Sequence, residues 1–157
     1  MRRLLVLALS CVVASGLRAE DEDVVELDRW TTSVSAKLVL PQGGGDLRRL
    51  GGAAVRAGYY LTEFWCFETE GAWFEDKAGL AVDALWHWWG YERFDPFFTM
   101  GARGWLSDGD VGPMGGTGFF YHLTENLSFR FDVDATFGLE REREVDFTFG
   151  AGLQYYW

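Results

Sequence analysis

The sequence predicts an all-β chain closed into an eight-stranded antiparallel up-and-down transmembrane β-barrel. Eight segments of about the 9–11 residues that a tilted membrane strand needs alternate apolar with polar side chains. Aromatics make up 17% of the 157 residues and glycines number 20, while mean hydropathy stays near zero. After the N-terminal leader, no run reaches the roughly 20 apolar residues of a membrane helix. Strands that are apolar on one side only produce this combination.

The terminal segment, Phe147–Trp157, shows the pattern most plainly. Phe147, Phe149, Ala151, Leu153, Tyr155 and Trp157 share one face, and Thr148, Gly150, Gly152, Gln154 and Tyr156 share the other. The first segment, Trp30–Leu40, sets Val34, Ala36 and Leu38 against Ser33, Ser35 and Lys37. Gly52–Leu61 sets Val55, Ala57 and Tyr59 against Arg56, Gly58 and Tyr60. Trp65–Phe74 sets Trp65, Phe67 and Trp73 against Cys66, Glu68 and Glu70. Gly79–Trp89 sets Leu80, Val82, Ala84, Trp86 and Trp88 against Asp83, Leu85, His87 and Trp89. Phe97–Trp105 sets Phe98, Met100 and Ala102 against Thr99, Gly101 and Arg103. Gly115–Leu123 sets Phe119, Tyr121 and Leu123 against Gly118, Phe120 and His122. Leu127–Gly138 sets Phe129, Phe131, Val133 and Phe137 against Ser128, Arg130, Asp132, Asp134 and Thr136.

The connections alternate in kind. Leu40–Gly51, Glu75–Ala78, Ser107–Met114 and Leu139–Glu144 are charged or glycine-rich. Thr62–Phe64, Gly90–Pro96 and Thr124–Asn126 lie between them and include two tight turns. Short turns at one end, longer loops at the other and an even strand number suit a membrane barrel. An internal repeat sets the register. Leu-Thr-Glu of Gly58-Tyr-Tyr-Leu-Thr-Glu63 returns 62 residues later in Gly118-Phe-Phe-Tyr-His-Leu-Thr-Glu125. Three-residue turns there pair Tyr59 with Phe67, Arg56 with Glu70, Tyr121 with Phe129 and His122 with Ser128.

Residues 1–19 read as a secretory signal, with Arg2 and Arg3 before the apolar run Leu4–Ala14 and a cleavage residue at Ala19 or Gly16. Residues 20–29 read as an acidic periplasmic lead, and residues 30–157 as the barrel domain. Removing the signal takes three of the 14 basic residues and none of the 24 acidic ones, leaving a net charge of −13. So acidic a chain lacks the basic footprint of a nucleic-acid binder. Cys66 is then the one cysteine left, so no internal disulfide is expected.

The polar face carries Lys37, Arg56, Glu68, Glu70, Asp83, Arg103, Arg130, Asp132, Asp134 and Asp146. Eight strands leave a lumen only wide enough for side chains. Opposite charges there must pair, because a lone buried charge is costly. The expectation is an ion-pair plug rather than a continuous pore.

No catalytic, cofactor or metal site is expected. His122 and Ser128, with Glu125 of the adjoining turn, form a nominal triad, but a satisfied interior histidine is the simpler reading. His87 among Trp86, Trp88 and Trp89 offers no ligand spacing. Gly43–Gly45 lacks the Lys-Ser/Thr of a phosphate loop. Asp108-Gly-Asp110 lacks the further acids of a calcium loop. Glu140–Glu144 reads as a solvated turn near lipid headgroups.

The signal, the eight strands, the Gly-Tyr-Tyr-Leu-Thr-Glu hairpin, Phe94-Asp-Pro-Phe-Phe-Thr-Met-Gly101 and the C-terminal Phe-Gly-Ala-Gly-Leu-Gln-Tyr-Tyr-Trp together resemble the small OmpA-type outer-membrane β-barrel proteins. The resemblance covers residues 30–157. It implies location in the bacterial outer membrane, contact with its lipids, and insertion by the barrel-assembly machinery. It also implies that Phe149, Leu153, Tyr155 and Trp157 act as a C-terminal insertion signal. It implies no activity; a monomer with a structural, envelope-integrity or surface-contact role is expected. Two alternatives stand beside it. One is a soluble lipocalin-like barrel that turns its aromatic face inward around a small ligand. The other is an outer-membrane enzyme that modifies lipid.

Overall fold

The computed structural model describes residues 29–42, 50–75, 77–88, 93–107, 109–138 and 145–157. The signal and nearly all of the acidic lead lie outside the described residues, as do Gly43–Gly45, Trp89, Asp108 and Glu140–Glu144. The strands are β1 (Trp30–Gln42), β2 (Leu50–Tyr60), β3 (Trp65–Phe74), β4 (Ala78–His87), β5 (Phe94–Trp105), β6 (Val111–His122), β7 (Leu127–Phe137) and β8 (Val145–Tyr156). Each pairs antiparallel with the next, and β8 returns to β1 to close the barrel. Closure leaves no sheet edge with unpaired backbone groups, a requirement for any sheet that lies in lipid.

The alternation resolves into an apolar exterior and a charged lumen. Val34, Phe67, Trp73, Val82, Phe98, Met100, Leu153 and Tyr155 are exposed on the outside, whereas Lys37, Arg56, Glu68, Arg103, Arg130 and Asp132 are buried within. A lipocalin-like soluble barrel needs the reverse, so the structure overturns that alternative. Threonines on the outer face satisfy themselves locally. The Thr117 hydroxyl donates to the Phe97 carbonyl at 2.9 Å, and that of Thr69 to the Ala57 carbonyl at 3.4 Å. Without such partners each hydroxyl would be costly in hydrocarbon.

The repeated Leu-Thr-Glu builds the same turn twice. Leu61 N donates to Trp65 O, and Leu123 N to Leu127 O, both at 2.9 Å. Thr62 Oγ1 accepts from the backbone N of Phe64 and Trp65, and Thr124 Oγ1 accepts from that of Asn126. A threonine hydroxyl that catches the next amides closes a tight turn without needing glycine. These turns fix the register, pairing Arg56 with Glu70, Tyr59 with Phe67, Tyr121 with Phe129 and His122 with Ser128.

The largest departures from the alternation are at the starts of β5 and β6. β5 starts at Phe94, inside the expected Gly90–Pro96 connection, and β6 at Val111, inside Ser107–Met114. Pro96 and Pro113 read as breakers, yet each lies within the first three residues of its strand, where proline is tolerated. Between these strands Gly109 takes φ +73°, a left-handed conformation that glycine adopts without a Cβ penalty.

Candidate functional site: the barrel lumen

The middle of the lumen is an ionic layer in which four cations face four carboxylates. Glu70 sits among Lys37 at 3.1 Å, Arg56 at 2.5 Å and Arg103 at 2.9 Å. Asp132 receives Lys37 at 2.7 Å, Arg130 at 3.0 Å and Arg56 at 3.2 Å. Arg130 also donates from one nitrogen to both oxygens of Glu68, at 2.8 and 2.7 Å. Arg103 adds Thr148 at 2.8 Å and stands 3.7 Å from Asp134, which accepts from the Thr99 hydroxyl at 3.2 Å. Lys37 and Arg103 reach Glu70 from strands that do not adjoin β3, and Arg130 of β7 reaches Glu68 of β3, four strands away, so that pair crosses the lumen and ties opposite walls together.

Two of the sequence-picked charges stand apart. Asp83 is buried, lies opposite Glu68 in the register, and has no cation within 4.0 Å among the described residues. Asp146 lies outside the shared network. It pairs with Lys77 at 3.5 Å near the loop end, where its side chain keeps 18% exposure. Its place as the second residue of β8 puts it at the rim, beyond reach of the central cations.

Glycine makes room for the layer at Gly150. A Cβ there would stand 2.5 Å from Asp132 Oδ2 and 2.8 Å from Lys37 Nζ. Gly150→Ala should therefore force that ion pair apart and lower stability by about 1–3 kcal/mol, the usual cost of overpacking. Denaturant midpoints of the two proteins in the same micelles check this; coincident curves would refute the contact.

Below the ions, toward the tight turns, lies an aromatic plug that alternation alone did not reveal. Tyr60, Cys66, Leu85, Phe97, Phe120 and Tyr156 form one buried cluster. Phe97 and Phe120 lie 4.7 Å apart between centroids, and His87 stacks on Phe120 at 5.6 Å. The Arg130 guanidinium sits 5.0 Å from the Phe97 centroid and 5.2 Å from that of Phe120, so it joins the two layers.

The plug contains a polar cluster that joins four strands. His87 Nδ1 and Asp95 Oδ2 are 2.6 Å apart, Asp95 Oδ2 and His122 Nε2 4.0 Å, and His122 Nδ1 and Ser128 Oγ 2.6 Å. Asp95, not Glu125, is the carboxylate beside His122; Glu125 is exposed on the turn. His87, which the alternation puts on the face of Asp83 and Leu85, points into the lumen and is fully buried. Asp95 was hidden by Pro96, which halted the alternation at Phe97. Counting back from Arg103, Gly101, Thr99 and Phe97 in twos reaches Asp95. Chemically, the cluster has the residue types of a nucleophile and its base. Ser128, however, is 0% exposed, so a substrate carbonyl cannot approach it. Among the described residues no group of three or more His, Cys, Asp or Glu could hold a metal ion.

An apolar exterior, a charged lumen and an aromatic plug at the turn end lead to one group of solved structures. The N-terminal β-barrel domain of Pseudomonas aeruginosa OprF superposes with a TM-score of 0.61 at 17% identity, covering 81% of this chain and 97% of that one. The outer-membrane protein OprG of the same organism gives 0.63 at 12% identity, covering 83% and 96%. This chain has the fold of the small eight-stranded outer-membrane barrels. A de novo designed transmembrane β-barrel matches as well, at 0.60 and 15% identity over 81% and 95%. Since a designed chain shares it, the likeness speaks of architecture, not of role. No protein-family model matches the sequence, and no curated protein does.

Proposed function

We propose that the chain is an integral protein of the bacterial outer membrane, non-enzymatic, with a structural, envelope-integrity or surface-contact role. The observation that carries this is the inversion of faces: the apolar side chains are outside and the ions inside. Lipid rewards that arrangement and water penalises it. The filled lumen supports a plugged rather than a conducting barrel, and the buried Ser128 argues against the lipid-modifying alternative. In this reading the turn end is periplasmic, the partners are membrane lipids and the barrel-assembly machinery, and the barrel is a monomer. Fractionation of expressing cells, with SDS gels of heated and unheated sample, tests it. The expected result is a detergent-requiring band that shifts on heating; a protein soluble without detergent would sink the proposal.

Phe149, Leu153, Tyr155 and Trp157 serve in this reading as the insertion signal. Trp157 N donates to Trp30 O at 2.9 Å, so the last residue also helps close β8 onto β1. Deleting Trp157 should slow assembly into vesicles by purified assembly machinery more than it slows unassisted folding into short-chain detergent. Equal slowing of both would leave only the closure role.

A further inference from the structure

The central ions balance without Asp83. Lys37, Arg56, Arg103 and Arg130 are matched by Glu68, Glu70, Asp132 and Asp134. Asp83 is a fifth carboxyl, 5% exposed, and its Oδ1 has no hydrogen-bond partner. On β3 it faces Glu68, flanked by Glu70 and the Cys66 thiol; on β5 it faces Gly101, with Arg103 two residues on. Along its own strand the next ionisable group is His87, which Asp95 holds. Across the lumen it feels Arg56, Arg130 and Asp134. Both arginines are already committed, Arg56 to Glu70 and Asp132, and Arg130 to Glu68 and Asp132. An ionised Asp83 would therefore be a second negative charge opposite Glu68, with no counter-ion and almost no water. Like charges so placed disfavour each other.

We propose that Asp83 is a proton-binding site: it is a neutral carboxyl in the folded lumen, and release of its proton loosens the ionic layer. A neutral carboxyl is far cheaper to bury than an unpaired carboxylate. Two facing carboxyls share their protons as a pair, and the contacts decide which one carries the proton. Arg130 occupies both oxygens of Glu68, whereas Asp83 keeps an oxygen free. A proton needs only that one oxygen. A metal ion needs more, and among the described residues no group of three or more ligands is placed to hold one. The site makes the barrel sensitive to pH. An unfolded aspartate releases its proton at about pH 3.9. Above that, the folded barrel keeps a proton that the unfolded chain has lost. This contribution to stability therefore falls as pH rises, until the lumen gives up its proton too. The inference goes beyond the membrane role and does not depend on it.

The test combines infrared spectroscopy with denaturant unfolding of the full chain refolded in uncharged maltoside micelles. At neutral pH the wild type should show the carbonyl stretch of a protonated carboxyl, and alkaline pH should remove it. The band should be absent from Asp83→Asn. It should persist in Asp134→Asn, whose carboxylate has the Thr99 hydroxyl at 3.2 Å and Arg103 at 3.7 Å in the wild type. Asparagine is neutral at every pH. The folding constant of Asp83→Asn, divided by that of the wild type, should therefore rise about tenfold or more between about pH 5 and 7. The heat-shifted gel band shows that each variant folds. Absence of the band from the wild type at neutral pH would overturn the proposal whether or not the variants fold. So would a band that survives Asp83→Asn or is lost in Asp134→Asn instead, or a ratio of folding constants that stays level or falls over that range.

Discussion

Replacing Arg130 by methionine should cost the barrel about 3–5 kcal/mol of folding free energy, the penalty for removing one partner of a buried ion pair. Arg130 holds Glu68 through both carboxylate oxygens, Asp132 at 3.0 Å and Gln154 at 3.3 Å. Methionine keeps most of the stem that packs near Phe97 and Phe120, so the loss is electrostatic rather than a cavity. Asp132 retains Lys37 and Arg56; Glu68 retains only Arg56 at 4.0 Å, while Asp83 lies beside it without a cation. Glu68 is therefore the group that is stranded. Adding Glu68→Gln to Arg130→Met should restore part of the stability, because a neutral amide is cheaper to bury than a lone carboxylate. Guanidinium unfolding in lipid vesicles provides the measurement. A single-variant loss below about 1 kcal/mol, the scale of an exposed pair, would mean that water reaches the layer and screens it.

The second large effect belongs to the outer face. Phe131→Arg should destabilise the barrel by about 2–4 kcal/mol from the charge alone, the cost of a cation at the midplane of a bilayer. Phe131 adjoins Asp132, the central residue of β7, and pairs with Phe119 and Ala151. Its ring lies 5.7 Å from that of Phe119, so that aromatic contact goes as well. Thr136→Arg is the control. Thr136 points into the lumen near the loop end and lies opposite Asp146 in the register, so a cation there gains a partner. Equal losses at the two positions would refute the assignment of faces.

The strands and their faces were legible because alternation is a local property. Phe129 and Arg130 differ in parity, and parity alone puts them on opposite faces of the sheet. The turns at Thr62 and Thr124 were legible because each needs only its own hydroxyl and the next few amides. Adjacent pairs such as Arg56–Glu70 followed from those turns. Asp95 was not legible, because Pro96 interrupts the cue that would have extended β5 to Phe94. Nor was the separation of Asp146 from the central ions. It shares their face, and depth along the barrel depends on how all eight strands are staggered.

The amino-acid sequence by itself determined that there are eight strands, where most of them lie, and which side chains share a face. It did not determine which face is the lumen, since a period of two is the same for a barrel in lipid and one in water. Only closure of the sheet decided that the ions lie inside. Only closure brought Lys37 to Asp132, 95 residues away. The physical reason is geometric. Neighbours along a strand and across a turn are fixed by local stereochemistry, whereas partners across a lumen are fixed by strand number, tilt and stagger together.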